Sequence, residues 1–272
     1  MKWEIGHIMN EEIQNANGNK YYRVQANVNL NAIRHNIREI KNKLKQDTKL
    51  MLIIKADAYG HGAVPIAKAI RKDHFADAYG VAIIEEAVEL RKAGIDTPIL
   101  VLGYTPKEQY PLVVTYNVTQ TIFQYEMAKE LSREAKRQGK TAKIHIKLDT
   151  GMSRIGFSCQ EESIQEIKRI SELENIQIEG LFSHFAQADE IDRTSTRKQL
   201  ERYSNFVHRL EEEGIHIPLK HISNSAGILE YTEAELDMVR CGIATYGIYP
   251  SDTVSKKEIR LIPAMELKTH VI

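Results

Sequence analysis

Lys55 stands directly behind the apolar run at 51–54 and directly ahead of the glycine-bearing segment "ADAYGHG". A lysine ammonium is costly to desolvate unless a partner or a covalent bond compensates. The ordinary explanation is a strand end surfacing into solvent. The chemical one is a partly neutral amine, a nucleophile suited to a Schiff base with the carbonyl of a sugar or of a pyridoxal cofactor. Other polar or small residues recur in equivalent places. Leu102 with Tyr104, Lys147, His184, Asn224 with Ser225, and Arg240 with Gly242 each close or follow a β-like run. Lys147 and Arg154 lie seven apart in "KLDTGMSR", where Asp149 and Thr150 shape a turn.

The elements that must position these groups have a regular rhythm. β-like runs at 50–54, 79–83, 99–102, 118–123, 143–148, 178–183, 219–223 and 235–239 alternate with helical stretches at 63–72, 84–94, 106–117, 124–139, 161–173, 197–214 and 225–231. An earlier amphipathic helix carries Leu30, Ile33, Ile37, Ile40 and Leu44 at helical spacing. Eight β segments joined by helical crossovers predict an α/β fold, a parallel eight-stranded (β/α)8 TIM barrel, over an open doubly wound sheet. No G-x-G-x-x-G phosphate turn is present to favour the open sheet. In such barrels reactive groups gather at the C-terminal ends of the strands, which is where the residues above fall. The opposite junctions, "QDTK", "KDHFAD" and "EEEGIHIP", read as ordinary surface turns.

The flanks divide the chain further. Residues 1–20 are polar and aperiodic, a flexible leader; residues 21–29 carry a strand, "YYRVQANV", assigned to the edge of a second domain. Residues 30–262 are the barrel, and residues 263–272 begin a new alternating strand that ends without a partner. A lone strand needs a sheet to join. The expectation is therefore a truncated chain, whose terminal segments feed a missing C-terminal β domain.

Composition narrows the partners. Lys+Arg and Asp+Glu balance at 37 each, so no global field recruits nucleic acid or an anionic membrane. A small molecule is the expected partner. No run approaches the ~18 apolar residues of a membrane span, and no secretory signal opens the chain. Two cysteines, Cys159 and Cys241, make neither a disulfide framework nor a metal site, which fits a reducing cytoplasm.

The strings "IKADAYGHG", "KLDTGMSRIGF", "SHFAQADE", "HISNSAG" and "VRCGIATYGIYP" occur in that order. Together they resemble the N-terminal barrel domain of the alanine racemase family of pyridoxal 5′-phosphate (PLP) enzymes, from about Tyr21 onward. The resemblance implies an isomerase that interconverts L- and D-alanine, supplying D-alanine to the peptidoglycan cell wall. By it, Lys55 holds the cofactor and moves the α-proton on one face of the substrate. Tyr59, Ser225, Gly242 and Ile243 hold the phosphate, Leu102 and Asn224 also bind the cofactor, and His184 orients or covers its ring or holds Arg240. Arg240 faces the pyridine nitrogen, and a guanidinium neither accepts a proton nor readily gives one up. The nitrogen therefore stays unprotonated, a weaker electron sink that favours return of the proton over transamination. Lys147 is a candidate for carbamylation, which would position Arg154 for substrate.

Each residue also has a plainer reading: Arg240 paired with Asp237, Tyr59 a packed rim aromatic, Gly242 a turn, His184 a hydrogen-bonded rim residue, and Lys147 with Arg154 two solvated charges. The family's second base is a tyrosine from the other subunit's second domain, expected beyond Ile272. Tyr246 and Tyr249 do not match it. The resemblance thus implies a homodimeric full-length form and little turnover by this chain alone. Three alternatives remain: a serine or alanine/serine racemase of the glycopeptide-resistance type, a non-catalytic PLP-binding barrel, and a Schiff-base aldolase. The last predicts its lysine near strand six or seven and no PLP.

Overall fold

Strands β2 (Lys49–Ile53), β3 (Ala78–Val81), β4 (Ile99–Val101), β5 (Thr119–Ile122), β6 (Ala142–Lys147), β7 (Ile176–Phe182), β8 (Leu219–His221) and β9 (Met238–Cys241) form one parallel sheet. They pair in the order β8-β7-β6-β5-β4-β3-β2-β9 in a computed structural model that describes residues 13–14, 20–21, 24–71 and 73–269. The remaining seam, between β8 and β9, is joined by the Arg240 N–H donating to the Ser223 carbonyl at 3.1 Å. The sheet thus curls into the expected barrel.

Helices α2 (Ala63–Arg71), α3 (Ile84–Lys92), α4 (Tyr110–Thr115), α5 (Tyr125–Arg137), α6 (Glu161–Ser171), α7 (Thr194–Glu212) and α8 (Ser225–Glu230) follow successive strands. Buried on both faces, the strands read as nearly continuous apolar runs. Met51, Ile53, Ala78, Leu100, Phe182 and Met238 pack together in one core cluster, separate from the larger one. Their strand neighbours Leu50, Leu52, Tyr79, Val81 and Val239 join that larger cluster with the helices. The two clusters are the inside and the outside of one barrel wall.

The last strand lies later than its sequence suggests, at Met238–Cys241 instead of 235–239. Asp237 is committed to the strand's entry: its carbonyl accepts from Lys49 N–H at 3.0 Å and its carboxylate from Lys220 N–H at 2.8 Å. Arg240 therefore lies within the strand, not after it, and is 3% exposed.

The two flanking segments meet. β1 (Val24–Val28) pairs antiparallel with β10 (Met265–Thr269), Val28 opposite Met265 and Val24 opposite Thr269. The terminal strand that looked partnerless is thus paired with the first, a long-range pairing that no local pattern announces. Helix α1 (Leu30–Lys43) ties this ribbon to the barrel. The Asn29 side chain caps α1 by accepting from Asn31 and Ala32 N–H, and Asn29 N–H donates to the Ala264 carbonyl at 2.7 Å. Buried Asn36 accepts from Ile262 N–H at 2.7 Å and donates to the Ile262 carbonyl at 2.8 Å. In the expected leader, Ile13–Gln14 pair antiparallel with Lys20–Tyr21; the rest of residues 1–20 lies outside the described residues. Among the described residues no helix is long and apolar enough to cross a membrane.

The turn after β2 was not expected. Ala56, Asp57, Ala58 and Tyr59 have φ of 50, 50, 54 and 55° and ψ of 51, 50, 47 and 37°, a left-handed helical turn built without glycine. Such backbone costs an L-residue roughly 1–2 kcal/mol per position, so surrounding contacts must hold it. They are numerous. Ala58 N–H donates to the Ile54 carbonyl at 2.9 Å, and the Asp57 carboxylate accepts from Ala63 N–H at 2.7 Å. The Glu86 carboxylate accepts from Ala56 N–H at 2.6 Å with one oxygen and from Ala82 N–H at 2.7 Å with the other.

The turn makes a test with an inverted sign. Ala→Gly within a right-handed helix costs about 1 kcal/mol. At exposed Ala56 the same change removes the penalty for positive φ. Ala56→Gly is expected to raise the unfolding free energy by up to about 1 kcal/mol in urea titrations; a loss of that size would mean a right-handed turn.

Candidate active site

The C-terminal mouth encloses a cavity of about 360 Å³, within the range of cofactor and substrate pockets. The residues to which the resemblance gives a part in the site line it: Lys55, Tyr59, Leu102, Lys147, Arg154, His184, Asn224, Ser225, Arg240, Gly242 and Ile243; Tyr104, Asp149 and Thr150, also singled out, do not. Each arrives from a strand end or the loop after it, because parallel strands present all their C-terminal ends on one side. Ile53, Phe182, Asp189, Ala226 and Pro250 complete the wall.

Lys55 and Tyr59 are delivered together. They bracket the left-handed turn, which brings the Lys55 Nζ to 5.9 Å from the centre of the Tyr59 ring. No carboxylate pairs with Lys55 among the described residues, so its amine is available for covalent chemistry. The Tyr59 ring lies 5.2 Å from that of Tyr246, whose hydroxyl donates to the Ile53 carbonyl at 2.8 Å. The His61 ring packs against the same Tyr246 at 4.5 Å, tilted by 32°. The Tyr59 hydroxyl comes close to Gly242: a Cβ there would stand 3.1 Å from it and 3.8 Å from the Ser225 Oγ. Ser225 Oγ in turn accepts from Gly242 N–H at 3.0 Å and Ala244 N–H at 3.3 Å. Two hydroxyls therefore converge over a side-chain-free backbone at the start of a short turn, Ile243–Tyr246, a cradle suited to an anion. Asn224 caps α8 by accepting from Gly227 N–H at 2.9 Å and also reaches the cavity wall.

Arg240 lies at the floor as a buried cation with no carboxylate beside it among the described residues. Its guanidinium donates to the carbonyls of Ser183 at 2.7 Å and Ile222 at 2.9 Å, to His221 Nδ1 at 2.6 Å and to His184 Nδ1 at 3.2 Å. The Phe182 ring lies 5.3 Å from its central carbon. Burial pulls the guanidinium down to about 10, which still leaves it charged at neutral pH. Burial and then the Arg240 charge hold His184 down at about 2, so that ring is neutral. Since Arg240 can only donate, His184 Nδ1 accepts and its proton is on Nε2.

Lys147, 3% exposed, donates to the Leu148 carbonyl at 2.5 Å. Burial, reinforced by Arg240 and Arg154, lowers it from 10.5 to about 7, so much of it is a neutral amine near pH 7. The Asp149 carboxylate gathers the N–H groups of Gly151, Met152 and Ser153, fixing the turn that carries Arg154. Thr150 hydrogen bonds to Ser183 at 2.7 Å, so both residues shape that turn as expected. With Lys55, Lys147, Arg154 and Arg240 against Asp189, the cavity is cationic overall and draws an anion. Among the described residues no group of three His, Cys, Asp or Glu could hold a metal.

Several participants escaped sequence reasoning. Glu86, holding the left-handed turn, reads as an ordinary first-turn helix acid; its position three residues after Ile83 was the available signal. His221 and Asp189 lie inside the quoted strings and Phe182 in the β-like run at 178–183, but none carried a spacing of its own. The two tyrosines set aside as second bases are indeed occupied. Tyr246 is bound to Ile53, and the Tyr249 hydroxyl donates to the Ile259 carbonyl at 2.6 Å and accepts from Leu261 N–H at 3.1 Å.

Comparison with known proteins agrees with this geometry. The family model "Alanine racemase, N-terminal domain" matches residues 28–250. The chain is 47% identical over 251 residues to an alanine racemase of Methanococcus maripaludis, covering 91% of this chain and 67% of that protein. It is 49% identical over 245 residues to alanine racemase 2 of Caldanaerobacter subterraneus, covering 90% and 63%. The chain thus spans about two thirds of the length of these curated relatives. Among solved structures, an alanine racemase of Clostridium difficile in complex with cycloserine superposes with a TM-score of 0.90 at 45% identity, covering 92% of this chain and 69% of that one. One from Bacillus anthracis with bound L-Ala-P gives 0.84 at 33%, covering 92% and 64%.

The buried Lys147 has a measurable signature. The folded chain releases its proton near pH 7 and the unfolded chain near 10.5, so the burial cost is complete below pH 7 and disappears as pH rises through that window. In urea unfolding with carbon dioxide excluded, stability is expected to rise between those values. Lys147→Met is expected to flatten the rise and to be more stable by about 2 kcal/mol at pH 7; an unchanged slope would place the titration elsewhere.

Proposed function

The chain belongs to the alanine racemase family, and on that premise we propose that it is the cofactor-holding barrel of an enzyme that interconverts L- and D-alanine with pyridoxal 5′-phosphate. The observation that carries this reading is the convergence of Lys55, Tyr59 and Arg240 on one cationic cavity. The site fits the cofactor in three respects. An amine without a counter-ion matches an aldehyde, the hydroxyls above Gly242 match a phosphate, and a buried obligate donor matches a ring nitrogen. When bound, pyridoxal phosphate supplies a ring that draws electron density from the substrate α-carbon and so makes its proton removable.

The residues take distinct parts in this reading. Lys55 holds the cofactor and, once substrate displaces it, takes or returns the proton on one face of the α-carbon. Tyr59 and Ser225, with the backbone at Gly242 and Ile243, hold the phosphate; Leu102, Asn224 and His184 line the ring, His184 as a neutral imidazole. Arg240 orients the ring nitrogen but cannot protonate it, which restrains the electron sink and favours proton return. The neutral amine of Lys147 attacks carbon dioxide, forming an N–C bond and releasing a proton, and the resulting carbamate pairs with Arg154 to receive the substrate carboxylate. A buried cation beside two others is relieved by this change of sign.

Proton transfer on the second face needs a further group. Among the described residues the hydroxyls of Tyr246 and Tyr249 are already bound, so we assign that role to a second polypeptide covering the mouth, in a homodimer. Exposed Ile83, Tyr104, Ile191 and Ile248 all lie in loops that follow C-terminal strand ends, an apolar rim for such a cover. The exposed β1–β10 ribbon is, in the same reading, the edge that a second, mostly β unit joins, apart from the barrel at 30–262. The names of the relatives favour alanine over serine, and the free cysteines suit a reducing cytoplasm.

Adding pyridoxal phosphate is expected to produce a near-visible absorption band that Lys55→Ala abolishes; no band in the unsubstituted chain would remove every reading that uses the cofactor. Gly242→Ala, which sets a methyl 3.1 Å from the Tyr59 hydroxyl, is expected to weaken binding about tenfold by equilibrium titration. Retained affinity would move the phosphate away from that cradle.

A further inference from the structure

Behind Arg240 a line of buried polar groups runs down the barrel interior to its opposite, N-terminal mouth. Arg240 donates to His221 Nδ1 at 2.6 Å, His221 Nε2 lies 2.9 Å from His145 Nδ1, and His145 Nε2 lies 3.8 Å from a Glu179 carboxylate oxygen. His145 is 3% exposed and His221 fully buried. The line ends at a second cavity, of about 120 Å³, whose wall includes His145, Glu179, Thr119 and Asp77.

The backbone is shaped to place Glu179 there. Along β6 and β7, Ile144 pairs with Ile178 but the next residue, His145, pairs with Gly180, so Glu179 is the extra residue of a bulge. Counted back from the inward Phe182, strict alternation would turn Glu179 outward; the bulge lets it share the inner side with Gly180 while Ile178 packs outward. Gly180 makes the room: a Cβ there would fall 2.6 Å from the His145 ring. Lys143 Nζ at 2.8 Å and Thr119 Oγ1 at 3.4 Å hold the carboxylate from the rim side.

The direction of the two hydrogen bonds follows by elimination, and the Glu179 contact, at 3.8 Å beyond hydrogen-bond range, is electrostatic. A guanidinium only donates, so His221 Nδ1 accepts and its proton is on Nε2. That proton is given to His145 Nδ1, so the proton of His145 is on Nε2, facing Glu179. A carboxylate only accepts, and it closes the line at the far end. The line has one alternative state. If the His145 proton moved to Nδ1, His221 would have to accept at Nε2 and present an N–H to Arg240, setting two donors face to face. The guanidinium would then turn away.

We propose that Glu179 is a positioning residue for Arg240: from the opposite mouth of the barrel, it holds His145 and His221 in the one pair of tautomers that fixes the guanidinium plane. Burial keeps both imidazoles uncharged beside Arg240, as the arrangement requires. The relevance to cofactor chemistry rests on the proposed role of Arg240, but the tautomers and the guanidinium can be read without any cofactor.

The test is nitrogen-resolved NMR of the 272-residue chain labelled at histidine and arginine, with signals assigned through His145 and His221 substitutions. The unsubstituted protein is expected to show both histidines neutral and protonated on Nε2, and separately resolved Arg240 Nη–H signals from a guanidinium that does not rotate. In Glu179→Leu both histidines are expected to split between tautomers and the Arg240 signals to merge. Glu179→Gln keeps the shape, and so serves if the leucine variant does not fold; its amide can donate to Nε2 and is expected to bring in the second tautomer too. A single Nε2 tautomer with unchanged Arg240 signals in the folded variants would overturn the proposal, as would an Nδ1 proton on His145 in the unsubstituted chain. Failure of pyridoxal phosphate to bind would instead strike the reading of Lys55 and leave these signals standing.

Discussion

A positive charge with no counter-ion among the described residues sits inside the barrel, and much of the structure is arranged around it. Arg240 is held by carbonyl groups from the ends of β7 and β8, by two imidazoles and by the face of Phe182. Burying a cation this way is costly unless its donors are satisfied. Its own backbone N–H also joins the β8–β9 seam, so one residue both closes the wall and charges the floor. The consequences spread outward: added to the effect of their own burial, its charge helps keep His184 and His221 neutral and lowers Lys147, and it makes the cavity favour anions.

The left-handed turn after β2 balances this fixed floor with a fixed wall. A right-handed helix beginning at Lys55 would send the chain off on the opposite hand, and the lysine and tyrosine would not meet as they do. The strain of four residues at positive φ is offset by a carboxylate from α3, by Asp57 and by the ring contacts of Tyr59 and His61 with Tyr246. Strain of this kind persists where neighbours over-determine the backbone, and here they do so beside the reactive amine. Rigidity at this point keeps Lys55 within a narrow range of positions, as the proton transfer proposed for it would demand.

What could be read from the sequence follows from which forces are local. Strands buried on both sides appear as apolar runs, so the eight-stranded barrel and the convergence of Lys55, Lys147 and Arg240 on one mouth were legible. The start of β9 was misplaced because "ELD" looks like strand entry, whereas Asp237 is occupied with the backbone of neighbouring strands. Nothing in "ADAY" announces positive φ, since alanine favours the right-handed helix and only the tertiary contacts choose the other hand. The run at 178–183 carries no sign of the bulge that brings both Glu179 and Gly180 to the inner side. The pairing of β1 with β10 spans nearly the whole described chain, beyond the reach of any periodicity.

That pairing gives the barrel an unusual standing in the chain. Because Val28 and Met265 face each other across the ribbon, the polypeptide enters and leaves the barrel at one point. To any sheet that includes the ribbon, the whole barrel is a hairpin loop, and the closure entropy of a loop grows only logarithmically with its length. Chain connectivity therefore sets little restriction on the barrel's size. It makes the barrel portable, a cassette that can be lifted out or exchanged at two adjacent residues without changing the register of the strands that carry it.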